Sequence, residues 1–104
     1  MKFKTLFVAH VPDADPNEHR NVLETDLYKL YTCLVKDQKE ALEICKEHAG
    51  EESIHSILLC PGFTNEDVAE ISREVGEEVG VSVARGDGPS GRIAKEAMAK
   101  ADWF

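Results

Sequence analysis

The chain has 104 residues and a mass of 11.5 kDa, enough for one domain over 1–104 and not for two. Its 42% hydrophobic and 31% charged residues are an ordinary globular composition and exclude a disordered polymer. Twelve Lys and Arg against twenty Asp and Glu leave a net charge of −8 with no basic cluster, which argues against nucleic acid or an anionic membrane surface as partner.

In chain order, Phe3 to Ala9 is a short apolar run and reads as a first strand. Lys4 interrupts it and no small-residue cleavage site follows, so it does not read as a signal peptide. His10 to Arg20 is a polar loop in which Asp15 followed by Pro16 predicts a single helical turn. Tyr28 to Val35 is rich in aromatic and β-branched residues and reads as a second strand, with Lys29 and Thr32 placing it near a sheet edge. Asp37 caps a helix to about His48, whose apolar stripe is Ala41, Leu42, Ile44 and Cys45.

Ile57-Leu58-Leu59-Cys60 is a continuous apolar run, the pattern of a strand covered on both faces, and Pro61-Gly62 stops it. Thr64 with Asp67 resembles a capping box and opens a helix through Val75, ended by Gly76 and Gly80. Val81 to Ala84 is a fourth strand, and a glycine-rich loop leads into a last helix from about Ser90 to Lys100. The expected fold is a single small α/β domain with a mostly parallel four-stranded sheet, in the order β-β-α-β-α-β-α, with helices packed on it. The direction of the first strand stays open, because its connection to the second carries little helical signal.

A parallel sheet gathers ligands beyond the carboxyl ends of its strands, where loops and helix N-termini converge. That edge collects His10, Cys60, Gly62 and Phe63 with the loop of Arg85, Gly86, Gly88, Ser90, Gly91 and Arg92, the expected binding residues for a small polar or anionic metabolite. Gly86-x-Gly88-x-x-Gly91 has the form of a phosphate-cradling loop, with Arg85 and Arg92 adding charge. The dinucleotide reading fails its context: no strand follows the last helix, and no acidic residue follows at the required distance. Asp87 also repels an anion, so glycines for a tight turn with Ser90 as N-cap are the stronger reading.

Cys60 at a strand exit, with His10 as base, is a weak catalytic pair; Glu66 and Asp67 oppose thiolate formation, and a structural thiol is favoured. Cys33, Cys45 and Cys60 are odd in number and form no C-x-x-C pair, which suits reduced thiols and a cytoplasmic protein. His10, Asp13, Asp15 and His19 are weak metal candidates. Asp13-x-Asp15-x-Asn17 with Glu24 matches calcium-loop offsets, but Glu18 occupies the glycine position and strands flank the loop. A solvated loop held by Asx turns and an Arg20–Glu24 ion pair is preferred, and no metal or cofactor is expected.

Asp13-Ala14-Asp15-Pro16, His19-Arg20, Val22, Glu24-Thr25, Leu59-Cys60 and Gly62-Phe63 together resemble the domain-of-unknown-function family numbered 6506. The resemblance reaches to about Val83, with Pro61 standing where the pattern has glycine, and leaves the last loop and helix outside it. It implies a small α/β protein and no established activity.

Trp103 and Phe104 either fold back into a groove or bury against a partner, the second being preferred. The leading expectation is a homo-oligomeric metabolite-binding protein. The alternatives are a small enzyme using Cys60 or His10, and an assembly module without a ligand.

Overall fold

The computed structural model describes residues 1–104. β1 (Phe3–His10) and β3 (Tyr28–Val35) run parallel in full register, Phe3 beside Tyr28 through His10 beside Val35. This settles the first strand's direction. β2 (Arg20–Glu24) pairs antiparallel with β3, and a turn joins them in which the Thr25 hydroxyl accepts from the Leu27 and Tyr28 amides at 3.2 and 3.1 Å. After helix α1 (Gln38–Glu47) and a π-helical turn over His48–Glu52 come β4 (Ser56–Leu59), α2 (Asn65–Val75), β5 (Gly80–Val83) and α3 (Gly88–Lys100). The sheet order is β2-β3-β1-β4-β5.

The sheet therefore has five strands, correcting the expected four. β2 escapes the periodicity reading because all five of its residues are exposed, so it has no buried face to write an alternation. It forms the edge itself and leaves β3 next to it. Arg20 pairs with Glu47 of α1 at 3.2 Å, not with Glu24, which is held by Lys2 at 2.6 Å.

The crossovers β3-α1-β4 and β4-α2-β5 step in the same direction across the sheet. Right-handed connections then put both helices on one face. They meet there, with the Gln38 amide donating to Asp67 O and Glu70 Oε1 at 3.2 and 2.9 Å. Asp37 accepts from the Glu40 amide at 2.9 Å, and Thr64 and Asp67 form the reciprocal capping box, as their spacing predicts. Leu6, Val8, Cys33, Val35, Ile57 and Leu59 form the sheet side of the core, all at most 1% exposed, against Ala41, Ile44, Cys45 and Ile71. Leu58 is 38% exposed, so β4 is covered on one face and not on both.

The last helix starts two residues before Ser90, with Asp87 in the N-cap position and Pro89 in its first turn. It buries no residue. The radius of gyration is 14.0 Å where about 13 Å suits a compact chain of this length, and the long axis is 42 Å. Neither α3 nor any other helix is long and apolar enough to cross a membrane.

Candidate functional site

The carboxyl ends of the parallel strands share one rim. The Val11 amide donates to Val35 O at 2.8 Å, Cys60 to Val8 O at 3.1 Å, and Ala84 to Leu59 O at 2.8 Å, so backbone pairing continues as each chain leaves its strand. A cavity of about 880 Å³ lies between this rim and α3, in the size range of small-molecule sites. One chain makes it.

His10, Cys60, Gly62, Gly86, Ser90 and Gly91 line the cavity, six of the ten expected binding residues. The His10 amide donates to Cys60 Sγ at 3.3 Å, and the His10 ring stacks on Phe63 with centroids 4.0 Å apart. Its Nε2 is buried with no partner. A Cβ on Gly62 would meet His10 Nδ1 at 3.3 Å and Cys60 Sγ at 3.4 Å, so glycine keeps this corner open. Gly86 and Gly91 abut, a Cβ on the first falling 3.4 Å from the Cα of the second. That close approach draws the start of α3 against the strand exit.

The other four expected residues stand elsewhere. Phe63 is 1% exposed and sits in the core behind His10. Arg85 donates to Phe63 O at 2.6 Å and Asn65 Oδ1 at 2.7 Å, tying the exit of β5 to the start of α2. Arg92 and Gly88 are exposed and off the cavity wall. Positive charge comes instead from Lys36, which is paired with Glu40, and from Lys95, which forms no ion pair. Two charges missed in the sequence thus replace two expected ones. Gly91, Ala94, Lys95 and Met98 repeat at helical spacing on the lining face of α3, a signal that was available.

Trp103 and Phe104 also line the cavity, with Phe104 still 73% exposed. A Schellman turn brings them there. Asp102 takes a left-handed conformation (φ 65°), its amide donates to Ala99 O at 3.2 Å, and the Trp103 amide donates to Met98 O at 3.0 Å. The indole is thereby folded back toward Met98.

The polar loop before β2 is occupied with itself. The Glu18 and His19 amides donate to Asp15 O at 3.0 and 2.8 Å, which is the predicted helical turn. Asp15 Oδ1 accepts from the Asn17 amide and His19 Nδ1 from the Asp15 amide, both at 2.9 Å. His10, Asp13, Asp15 and His19 do not converge, and no group of three or more His, Cys, Asp or Glu side chains could hold a metal ion. Cys33 and Cys45 are buried and unpaired; desolvation pushes the Cys33 thiol up and that of Cys45 up to about 12.

Comparison with curated proteins finds no match, and comparison with solved structures finds none. A family model described as a family of unknown function does match, over residues 2–99, so the resemblance runs through nearly all of α3 and does not stop near Val83. With that coverage, the chain belongs to the family of unknown function DUF6506.

Proposed function

We propose that the protein binds a small anionic metabolite with an apolar body in the cavity between the strand rim and α3. The observation that carries this reading is the charge of the wall. Twenty acidic residues are present in the chain, yet none lines the cavity, whereas Lys36 and Lys95 do. A carboxylate or phosphate is attracted chiefly by the Lys95 ammonium, which has no ion-pair partner, because Lys36 is already paired with Glu40. Met98, Trp103, Phe104, Pro12 and Pro61 supply apolar contact for the remainder of the molecule. The His10 ring beside the cavity is held by Phe63, and its buried Nε2 has no partner within the chain.

Trp103 is the sole tryptophan, so its fluorescence reads the site directly. Titration with aryl and alkyl carboxylates and phosphates, with inorganic phosphate as head-group control, is expected to give saturable quenching for a member with an apolar body. Lys95→Ala is expected to weaken that binding at least tenfold, and Arg92→Ala to leave it unchanged. Absence of saturable binding across the panel, or binding indifferent to Lys95, would overturn the reading.

A second reading, thiol chemistry at Cys60, is favoured by one contact: the His10 amide donates to Sγ at 3.3 Å at the cavity wall. The His10 ring stacks on Phe63, and Sγ has no hydrogen bond from it. Ligand binding is therefore preferred. Self-association, expected from the aromatic tail, stays within the proposal but moves to another surface, since the tail lines the cavity.

A further inference from the structure

A parallel sheet is normally covered on both faces. Here α1 and α2 share one face and α3 lies at the rim, so the second face is bare. Its side chains follow from the register: Phe3 and Phe7 of β1, Leu30 and Leu34 of β3, Leu23 of β2 and Leu58 of β4 lie on it. Phe3, Leu23 and Leu58 are 51%, 65% and 38% exposed.

Charge is segregated in the sense opposite to that of a solvated face. Every charged strand residue (Lys4, Arg20, Glu24 and Lys29) shares the helix-covered face with Leu6 and Cys33, as their register partners require. Lys4 reaches Glu52 O at 2.9 Å there, and Arg20 reaches Glu47. The bare face carries no charged residue at all; its polar members are Thr5, Thr32, Asn21, Ser56, Ser82 and the Tyr28 hydroxyl. A sheet face meant for water carries its charges outward. This one leaves its charges to the opposite face, where Arg20 and Glu24 are exposed beyond the helices, and presents leucine and phenylalanine.

We propose that this bare sheet face is the interface of a two-fold homodimer, the two sheets packing face to face. The proposal rests on the self-association reading above and is independent of the ligand. The strands are 8, 5, 8, 4 and 4 residues long, so at about 3.3 Å per residue and 4.8 Å between strands they tile roughly 450 Å² of plane. Protruding side chains raise the accessible area above the plane, toward the ~800 Å² per partner of a standard interface. Large apolar patches exposed on a monomer mark association sites.

The occupant is a second copy because of charge and symmetry. Two chains of net charge −8 repel each other over most of their surfaces, and this face is the part of each sheet that contributes no charge to that repulsion. It offers no ion pair by which to select a different partner. A flat face packed on its own two-fold image closes the assembly and leaves neither copy's face wet.

Sedimentation velocity on the full chain at tens of micromolar is expected to give a dimer, about twice 11.5 kDa. Leu58→Glu, which places a carboxylate on the face, is expected to raise the dimer dissociation constant at least a hundredfold. Thr32→Arg replaces a residue that is already polar and lies between Phe7 and Asn21 on this face, and is expected to do the same while keeping the wild-type far-ultraviolet circular dichroism. A chain ending at Asp102 is expected to remain dimeric. A monomeric wild-type chain would overturn both self-association and this surface. A dimer that survives Thr32→Arg, or one lost only with the tail, would overturn the surface alone.

Discussion

The imidazole of His10 stacks on the phenyl ring of Phe63, centroids 4.0 Å apart and planes 29° from parallel. One ring is a core residue and the other opens onto the cavity. The core therefore sets the position of a cavity-wall group through direct contact.

Phe63→Ala should expose that dependence. Removing a ring that is 1% exposed costs about 3–5 kcal/mol of stability, measurable by urea unfolding. In the folded fraction the His10 imidazole protons should shift and broaden in NMR spectra, since their ring neighbour is gone.

Arg85→Ala separates structure from binding. The guanidinium bonds to Phe63 O and Asn65 Oδ1 join two segments at the surface, and their loss should cost about 1 kcal/mol. Ligand-induced quenching of Trp103 should be unaffected, because Arg85 does not line the cavity. Equal losses of binding on Arg85→Ala and Lys95→Ala would contradict the assignment of charge to α3.

The three thiols should divide by burial. Cys33 and Cys45 are buried and Cys60 is partly exposed, so an aromatic disulfide reagent should label one thiol in the native state and three in denaturant. Cys60→Ala should leave no fast-labelling thiol.

Stability should fall on the alkaline side. In the unfolded chain a thiol ionises near its ordinary value of about 8.5–9, while burial holds the Cys45 thiol neutral up to about 12. Its raised folded pKa means the unfolded state loses its proton first. The stabilisation is full below about pH 9 and is lost as pH rises toward 12, at up to about 1.4 kcal/mol per pH unit. Cys33 and Tyr31 are also pushed up, chiefly by burial, and steepen the decline. Urea midpoints from pH 8 to 11 should fall less in Cys45→Ala than in the wild type.

Local chemistry was legible where its cause spans a few residues. The Asp37 and Thr64 caps, the Asp15 turn and the apolar stripe of α1 all depend on positions within one helical turn of each other. β2 was illegible because a strand exposed at every position buries no face, and periodicity reports burial. Arg85 and Arg92 stood out beside the glycine loop because proximity in the chain was the only measure of proximity at hand. The helical direction of α3 turns Lys95 toward the cavity and leaves Arg92 off it.

The sequence by itself determined the α/β class, the succession of helices, the strand rim as a meeting place and the family to which the chain belongs. Tertiary structure decided the fifth strand, the folding-back of Trp103, the exchange of arginines for Lys36 and Lys95, and the bare apolar face of the sheet. The difference is physical. Caps and periods are written by neighbours along the chain, whereas the cavity wall joins residues from Ala9 to Phe104, and the sign of its charge exists only once they have met.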